Sequence, residues 1–179
     1  MLKRHIVVPA VVAMGSNLGD REATLLAATR ELADAEGVEL TAVSSLHETV
    51  ALKPDGPDEA APAYLNAVAL IRTKLTPQEL LALLHRIEAD HGRERTEHWG
   101  DRTLDLDLID VAGIRHDADG LTLPHPRAAE REFVLRPWLE VDPDAVLRGH
   151  GRVDELLAGL PGAGPGAGPG SQPGAGEPR

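Results

Sequence analysis

Aromatic side chains are scarce in this 179-residue chain: Tyr64, Trp99, Phe133 and Trp138 are all it has. Its core must therefore be built from Leu, Val, Ile and Ala, and any ring serves first as packing material. Cysteine is missing altogether, which excludes disulfides and thiolate chemistry and permits a reducing compartment. No apolar run reaches the roughly 18 residues of a membrane span. The start, Met1 to His5 followed by Ile6 to Met14, superficially resembles a short signal peptide. However, Pro9 interrupts the run, and the following Gly-Ser-Asn-Leu-Gly reads as a turn rather than a cleavage region. The expectation is a first strand in a cytoplasmic enzyme. Basic residues are in deficit, 18 against 29 acidic, for a net charge of −11. That argues against a nonspecific nucleic-acid surface, while a few arginines can still hold a nucleotide locally.

The length suits one domain, expected over residues 1–160. From Pro161 to Arg179 the chain is mostly Gly, Pro, Ala and Ser, a composition that cannot bury enough surface to repay ordering, so this tail is expected to be disordered. Periodicity predicts a strand at 6–14, with Pro9 at an edge or irregularity. A helix follows at 21–36 with Leu25, Ala28, Thr29 and Leu32 inward, ended by Gly37. A strand at 38–46 leads into a connection, 47–62, whose Pro54, Gly56, Pro57 and Pro62 resist regular structure. A loop this long is either disordered or functional. Strand 64–72 should put Leu65, Ala67, Ala69 and Ile71 on one face and Tyr64, Asn66, Val68 and Leu70 on the other. Thr76, Pro77 and Glu79 form a helix-start signal before Leu80, Leu81, Leu84 and Ile87, and Gly92 can end that helix. Gly113 and Gly120 bracket a hairpin with Leu121 to Leu123 as its return strand. Pro124-His125-Pro126 reads as a rigid turn. A helix is predicted at 127–135, limited by Pro137, and a short one at 153–158. The order strand, helix, strand, strand, helix, strand, then a hairpin and helices, fits an α+β, ferredoxin-like sandwich with an antiparallel sheet. Gly15 to Gly19 follows a strand but lacks both the dinucleotide fingerprint and the Walker lysine motif.

The stretch from Gly100 to Asp110 carries the most chemical information. In a strand, Asp105 and Asp107 point one way while Leu104, Leu106 and Leu108 point the other. Two carboxylates on one cleft wall repel unless a positive group lies between them. A hard divalent cation holding phosphate oxygens would satisfy them; a solvated outer strand face is the alternative. Asp110 has the opposite parity and reads as a strand-end cap or salt-bridge partner. Arg93, Arg95 and Arg102 surround Trp99 and could hold phosphate charge. Gly92 and Gly100 flank that segment, which could close over a substrate. His125 could donate to phosphate or protonate a departing oxygen, or else satisfy a local backbone carbonyl. Tyr64 and Asn66, joined by Phe133 if its helix covers the sheet, could hold a flat heterocycle.

Taken together and in order, these motifs resemble the 6-hydroxymethyl-7,8-dihydropterin pyrophosphokinases of folate biosynthesis, over residues 10–160. The resemblance is carried by Arg93 to Asp107, above all Trp99-Gly100-Asp101-Arg102-Thr103-Leu104-Asp105-Leu106-Asp107. Supporting pieces are Gly15-Ser16-Asn17-Leu18-Gly19, Tyr64-Leu65-Asn66-Ala67, Arg86-Ile87-Glu88 and Leu123-Pro124-His125-Pro126. It implies a transferase that moves pyrophosphate from ATP to the pterin hydroxymethyl oxygen and releases AMP. It further implies two magnesium ions on Asp105 and Asp107, and phosphate contacts from Arg93, Arg102 and His125. Tyr64 and Phe133 would sandwich the pterin, with Asn66 at its edge. Trp99 would order the closing loop, Glu88 would be a nucleotide-side or loop-anchoring residue, and Arg131 would add to nucleotide affinity. ATP and the pterin would be the partners of a monomer, with no nucleic acid and no membrane. The chain departs from the pattern at His47 to Leu52, where an aromatic residue and a Pro-rich segment are usual, at Thr96 and at Gly120. A different metal-dependent phosphoryl or nucleotidyl transferase, and a binding module without turnover, are the competing readings.

Overall fold

The computed structural model describes residues 6–53, 56–58, 60–92 and 103–161. The elements in chain order are β1 (Val8–Ser16), α1 (Arg21–Asp34), β2 (Val38–Val43), β3 (His47–Thr49), β4 (Ala51–Lys53), β5 (Gly56–Asp58), β6 (Tyr64–Thr73), α2 (Pro77–Asp90), β7 (Asp105–Val111), β8 (His116–Ala118), β9 (Leu121–Leu123), a 3-10 turn (Ala128–Glu130), α3 (Glu132–Val141), β10 (Val146–Leu147), β11 (Gly151–Arg152) and α4 (Val153–Ala158).

The main sheet runs β2-β6-β1-β7 with β3 added beside β6, and each of these pairings is antiparallel. This is the expected α+β sandwich with its added hairpin, β8–β9, and C-terminal helices. Alternation along the strands divides the core in two. One face carries Ala10, Val12, Met14, Ala67, Ala69, Ile71, Leu106 and Leu108 against Leu25 and Leu32 of α1 and Leu80, Leu84 and Ile87 of α2. The other carries Val11, Ala13, Val68 and Ile109 against Val134, Leu135 and Trp138 of α3 and Val153 of α4. The alternation predicted for β6 holds, because both of its faces are covered.

Local signals explain the helix starts. Asp20 caps α1 by accepting from the Ala23 amide at 3.0 Å. Thr76 and Glu79 form the predicted capping box of α2, with Pro77 in its first turn. Such a cap stabilises a helix by about 1 kcal/mol.

Three sequence expectations are corrected. The connection 47–62 is not free of regular structure: β3 pairs with the start of β6, and β4 pairs with β5. Prolines sit within or beside these three-residue strands, which are too short for periodicity to reveal. Pro137 does not end α3 but lies inside it. It cannot donate to the carbonyl one turn earlier, yet burial of Val134, Leu135 and Trp138 carries the helix past it. Finally, β7 contains a register shift: Val12 faces Leu108 whereas Val11 faces Asp110. The extra residue, Ile109, resets the alternation. Asp110 therefore returns to the face of Asp105 and Asp107, contrary to its simple parity.

Candidate active site

The candidate site lies where β1, β6 and β7 run out together. Register fixes its floor. Asn66 of β6 is opposite Gly15 of β1, and Gly15 is opposite Asp105 of β7. One row further in, Val68, Ala13 and Asp107 are aligned in the same way. A side chain at Gly15 would meet Asn66 Oδ1 at 3.2 Å and the Tyr64 ring at 3.7 Å. The missing side chain thus keeps a gap between the amide and ring on one side and the carboxylate on the other.

The residues just beyond Gly15 hold this floor together. Ser16 is fully buried and donates to the Thr103 carbonyl at 2.6 Å, joining the end of β1 to the approach to β7. Asn17 reaches the Pro62 carbonyl at 3.4 Å, and Arg21 reaches the Ala63 carbonyl at 2.6 Å, so the entry to Tyr64 is pinned from below. What reads in the sequence as a turn is also a joint between three strands.

Asn66 is oriented by a neighbour that sequence reasoning missed. Its Nδ2 donates to Thr49 Oγ1 at 2.8 Å, which engages one amide donor and leaves Oδ1 towards the Gly15 gap. Pairing of Thr49 with Tyr64 across β3 and β6 sets this contact. The only sequence signal was a short polar run, His47-Glu48-Thr49, at the start of a segment dominated by its prolines.

The opposite wall comes from the turn after β9 and the start of α3. Arg131 Nη1 donates to Asp107 Oδ2 at 2.9 Å, and its guanidinium carbon lies 5.5 Å from the centre of the Phe133 ring, within cation–π range. His125 Nε2 stands 3.9 Å from the same Asp107 oxygen, too far for a hydrogen bond. The His125 Nδ1 accepts from the Arg127 amide at 3.2 Å. That bond places the proton of the neutral ring on Nε2, aimed at the site. Burial lowers the His125 pKa below its ordinary 6.5, an effect that nearby Asp107 opposes and Arg131 and Arg127 reinforce. His125 is thus suited to donating a hydrogen bond as a neutral ring.

The structure brings together Tyr64, Asn66, Asp105, Asp107, His125, Arg131 and Phe133 of the sequence-derived set. Glu88 is different. It is 1% exposed, and its Oε1 accepts from the Leu106 amide at 2.8 Å. A side chain so enclosed does not present itself to a nucleotide. Instead its bond to Leu106 anchors β7 between its two aspartates. Arg93, Arg95, Trp99 and Arg102 lie outside the described residues.

Among the described residues no group of three or more His, Asp or Glu side chains is arranged to hold a metal ion. Asp105 and Asp107 remain as two half-buried carboxylates on one face. Hard oxygen donors of this kind fit magnesium, which takes one or two carboxylates and completes its shell with water and substrate phosphates. Asp107 Oδ2 is engaged by Arg131, and 31% of the Asp107 side chain stays exposed. No helix among the described residues is long and apolar enough to cross a membrane.

Known proteins of one family resemble this chain. The family model for 7,8-dihydro-6-hydroxymethylpterin-pyrophosphokinase (HPPK) matches residues 11–143. The chain is 38% identical over 151 residues to the 2-amino-4-hydroxy-6-hydroxymethyldihydropteridine pyrophosphokinase of Haemophilus influenzae, covering 84% of this chain and 92% of that protein. It is 42% identical over 132 residues to the protein of the same name from Bacillus subtilis, covering 74% and 77%. For that of Mycobacterium leprae the figures are 43% identity over 162 residues, covering 83% and 81%. Among solved structures, wild-type Plasmodium falciparum HPPK-DHPS with pterin and p-hydroxybenzoate superposes with a TM-score of 0.66 at 12% identity, covering 87% of this chain and 43% of that one. The chain therefore spans less than half the length of that solved protein, and the likeness is one of fold.

Proposed function

The chain belongs to the 7,8-dihydro-6-hydroxymethylpterin-pyrophosphokinase family, and on that premise we propose how its residues carry out the family's reaction. That reaction transfers pyrophosphate from ATP to the hydroxymethyl group of 6-hydroxymethyl-7,8-dihydropterin and releases AMP. The hydroxymethyl oxygen bonds to the β-phosphorus of ATP as the bond to the bridging oxygen on the α-phosphate breaks. The hydroxyl proton is lost, and the bridging oxygen leaves with AMP.

In our reading Tyr64 and Phe133 hold the two faces of the pterin and Asn66 reads its edge. Asp105 and Asp107 would hold two magnesium ions, whose Lewis acidity would draw charge from the phosphate oxygens. His125 donates its Nε2 proton in a hydrogen bond to phosphate. Arg131, set between Asp107 and Phe133, meets phosphate where the two substrates join. Arg93 and Arg102 are assigned to the phosphates, and Trp99 to ordering the segment that carries them. Catalysis on this reading is alignment plus neutralisation of charge. The observation that carries it is the cross-strand row Asn66–Gly15–Asp105. In it one strand, β1, separates the Asn66 amide from the first carboxylate across a gap, which supports the reading of a heterocycle on one side and phosphate on the other.

The enzyme is read as a monomer, and its use of ATP together with its lack of cysteine suits the cytoplasm. Residues 1–160 are read as the catalytic unit, without need of 161–179. With ATP, magnesium and the hydroxymethyl pterin, the protein should yield AMP and the pterin diphosphate; ADP as the sole nucleotide product would sink this reading. Asp105→Ala and Asp107→Ala should each cost about a hundredfold or more in turnover, the scale of one lost electrostatic group, while thermal melts stay near wild type.

A further inference from the structure

Glu140 lies on α3 seven residues beyond Phe133, about two helical turns. Its carboxylate collects three donors from one short segment. Oε1 accepts from the Ser45 amide at 2.7 Å. Oε2 accepts from the Ser45 hydroxyl at 2.8 Å and pairs with His47 Nε2 at 2.7 Å. Burial pushes this carboxyl up, but the bonds from the Ser45 amide, His47 and the Ser45 hydroxyl outweigh it and hold the group below its ordinary range.

The segment so gripped is the entry to β3. Ser44, just before it, is fixed to the sheet, exchanging bonds with Val68 through its amide at 2.9 Å and its hydroxyl at 3.0 Å. After it, His47 is opposite Asn66 and Thr49 is opposite Tyr64, and Thr49 Oγ1 takes the Asn66 amide proton. A three-residue strand on one neighbour is too short to hold its own place. Its position against α3 has to be set from outside, and Glu140 is the side chain that does so. An ordinary exposed ion pair is worth little, but three donors converging on one carboxylate define a geometry.

We propose that Glu140 is a positioning residue for the pterin pocket: by tying β3 to α3 it sets the separation between Phe133 on the helix and Asn66 with Tyr64 on the sheet. His47 serves as its partner. This rests on the reading of Tyr64, Asn66 and Phe133 as the pterin-binding residues.

The test is steady-state kinetics on Glu140→Ala, Glu140→Gln and His47→Ala, with amide hydrogen exchange at residues 45–49. Glu140→Ala should raise the KM for pterin about tenfold, the scale of one or two lost charged hydrogen bonds, and speed exchange at those amides. The KM for ATP and kcat should stay within about twofold of wild type, since no contact proposed for the ATP phosphates is touched. Glu140→Gln keeps an oxygen for the Ser45 amide and should recover part of the loss. His47→Ala leaves both Ser45 bonds and should show a smaller rise. If Glu140→Ala does not fold, the other two variants still decide. Unchanged pterin KM in the folded variants, or equal rises for pterin and ATP, would overturn the positioning role while leaving the pocket assignment intact. Normal pterin affinity in Tyr64→Ala and Phe133→Ala would overturn the pocket, and this proposal with it.

Discussion

Gly15 is the smallest residue of the site and fixes how much room it has. Its backbone is ordinary extended strand, so an alanine there meets no conformational penalty. The difficulty is local: the added carbon would stand 3.2 Å from Asn66 Oδ1 and 3.7 Å from Tyr64. Asn66 cannot give way freely, because Thr49 holds its other end. Either the amide turns away from the gap or the bond to Thr49 lengthens, and both would spoil the edge we propose for the heterocycle. Gly15→Ala should therefore raise the KM for pterin about tenfold, roughly the worth of one well-placed hydrogen bond, with the melting temperature within a few degrees of wild type. A variant with normal pterin KM would show that the gap is not used. The same residue marks how legible the site was. Tyr64, Asn66 and the aspartates stand out because their types are chemically costly on a strand. Thr49 and Glu140 do not, because a threonine and a surface glutamate are ordinary until pairing shows what they touch.

At the scale of the element, β7 shows where reading by alternation succeeds and where it stops. Leu104, Leu106 and Leu108 are buried in the helix-covered core and Asp105 and Asp107 face the site, as a period of two requires. The bulge at Ile109 then shifts the phase, and nothing in the residue types announces it. Asp110 is carried with it into a largely buried position, 9% exposed. Its Oδ2 caps the turn by accepting from the Gly113 amide at 2.8 Å, while Oδ1 is buried without a partner. Burial raises its pKa above 3.8, against the opposing effects of the Gly113 bond and Arg148. A carboxyl whose folded pKa is raised binds protons more readily in the fold than when unfolded. Its contribution to stability is therefore fully present below 3.8 and is lost as pH climbs through the raised value. Asp110→Asn keeps the oxygen that the Gly113 amide needs and removes the charge. It should be more stable than wild type at pH 7 by ~1 kcal/mol, and the advantage should shrink as pH falls towards 4. Urea unfolding at the two pH values checks both signs; an advantage that did not change with pH would mean that charge burial is not its source.

At the scale of the whole molecule, the two faces of the sheet divide the work. The α1–α2 face is a continuous aliphatic core from Leu25 to Ile87, tied to the site through the Glu88 bond to the Leu106 amide and the Arg21 bond to the Ala63 carbonyl. The α3–α4 face is also apolar at its centre, but its helix carries Arg131, Phe133 and Glu140 at its margins. The first face was legible because α1 and α2 have regular stripes with capped starts. The second was less so, since its helix contains a proline and its best contacts lie far away along the chain. Leu84 on α2 and Leu135 on α3 are matched probes, both leucines and both 0% exposed. Truncating either to alanine should cost about 2–5 kcal/mol through lost burial and a residual cavity. Their kinetic consequences should separate. Leu84→Ala, assayed where it remains folded, should keep wild-type KM for pterin, because α2 meets the site through Glu88 at β7 and not at Asn66 or Phe133. Leu135→Ala lets α3 settle where Phe133 and the Glu140 clamp depend on it, so the KM for pterin should rise severalfold at an equal loss of stability. Equal kinetic effects of the two truncations would mean that loss of stability alone governs the site, and the division of labour between the faces would fail.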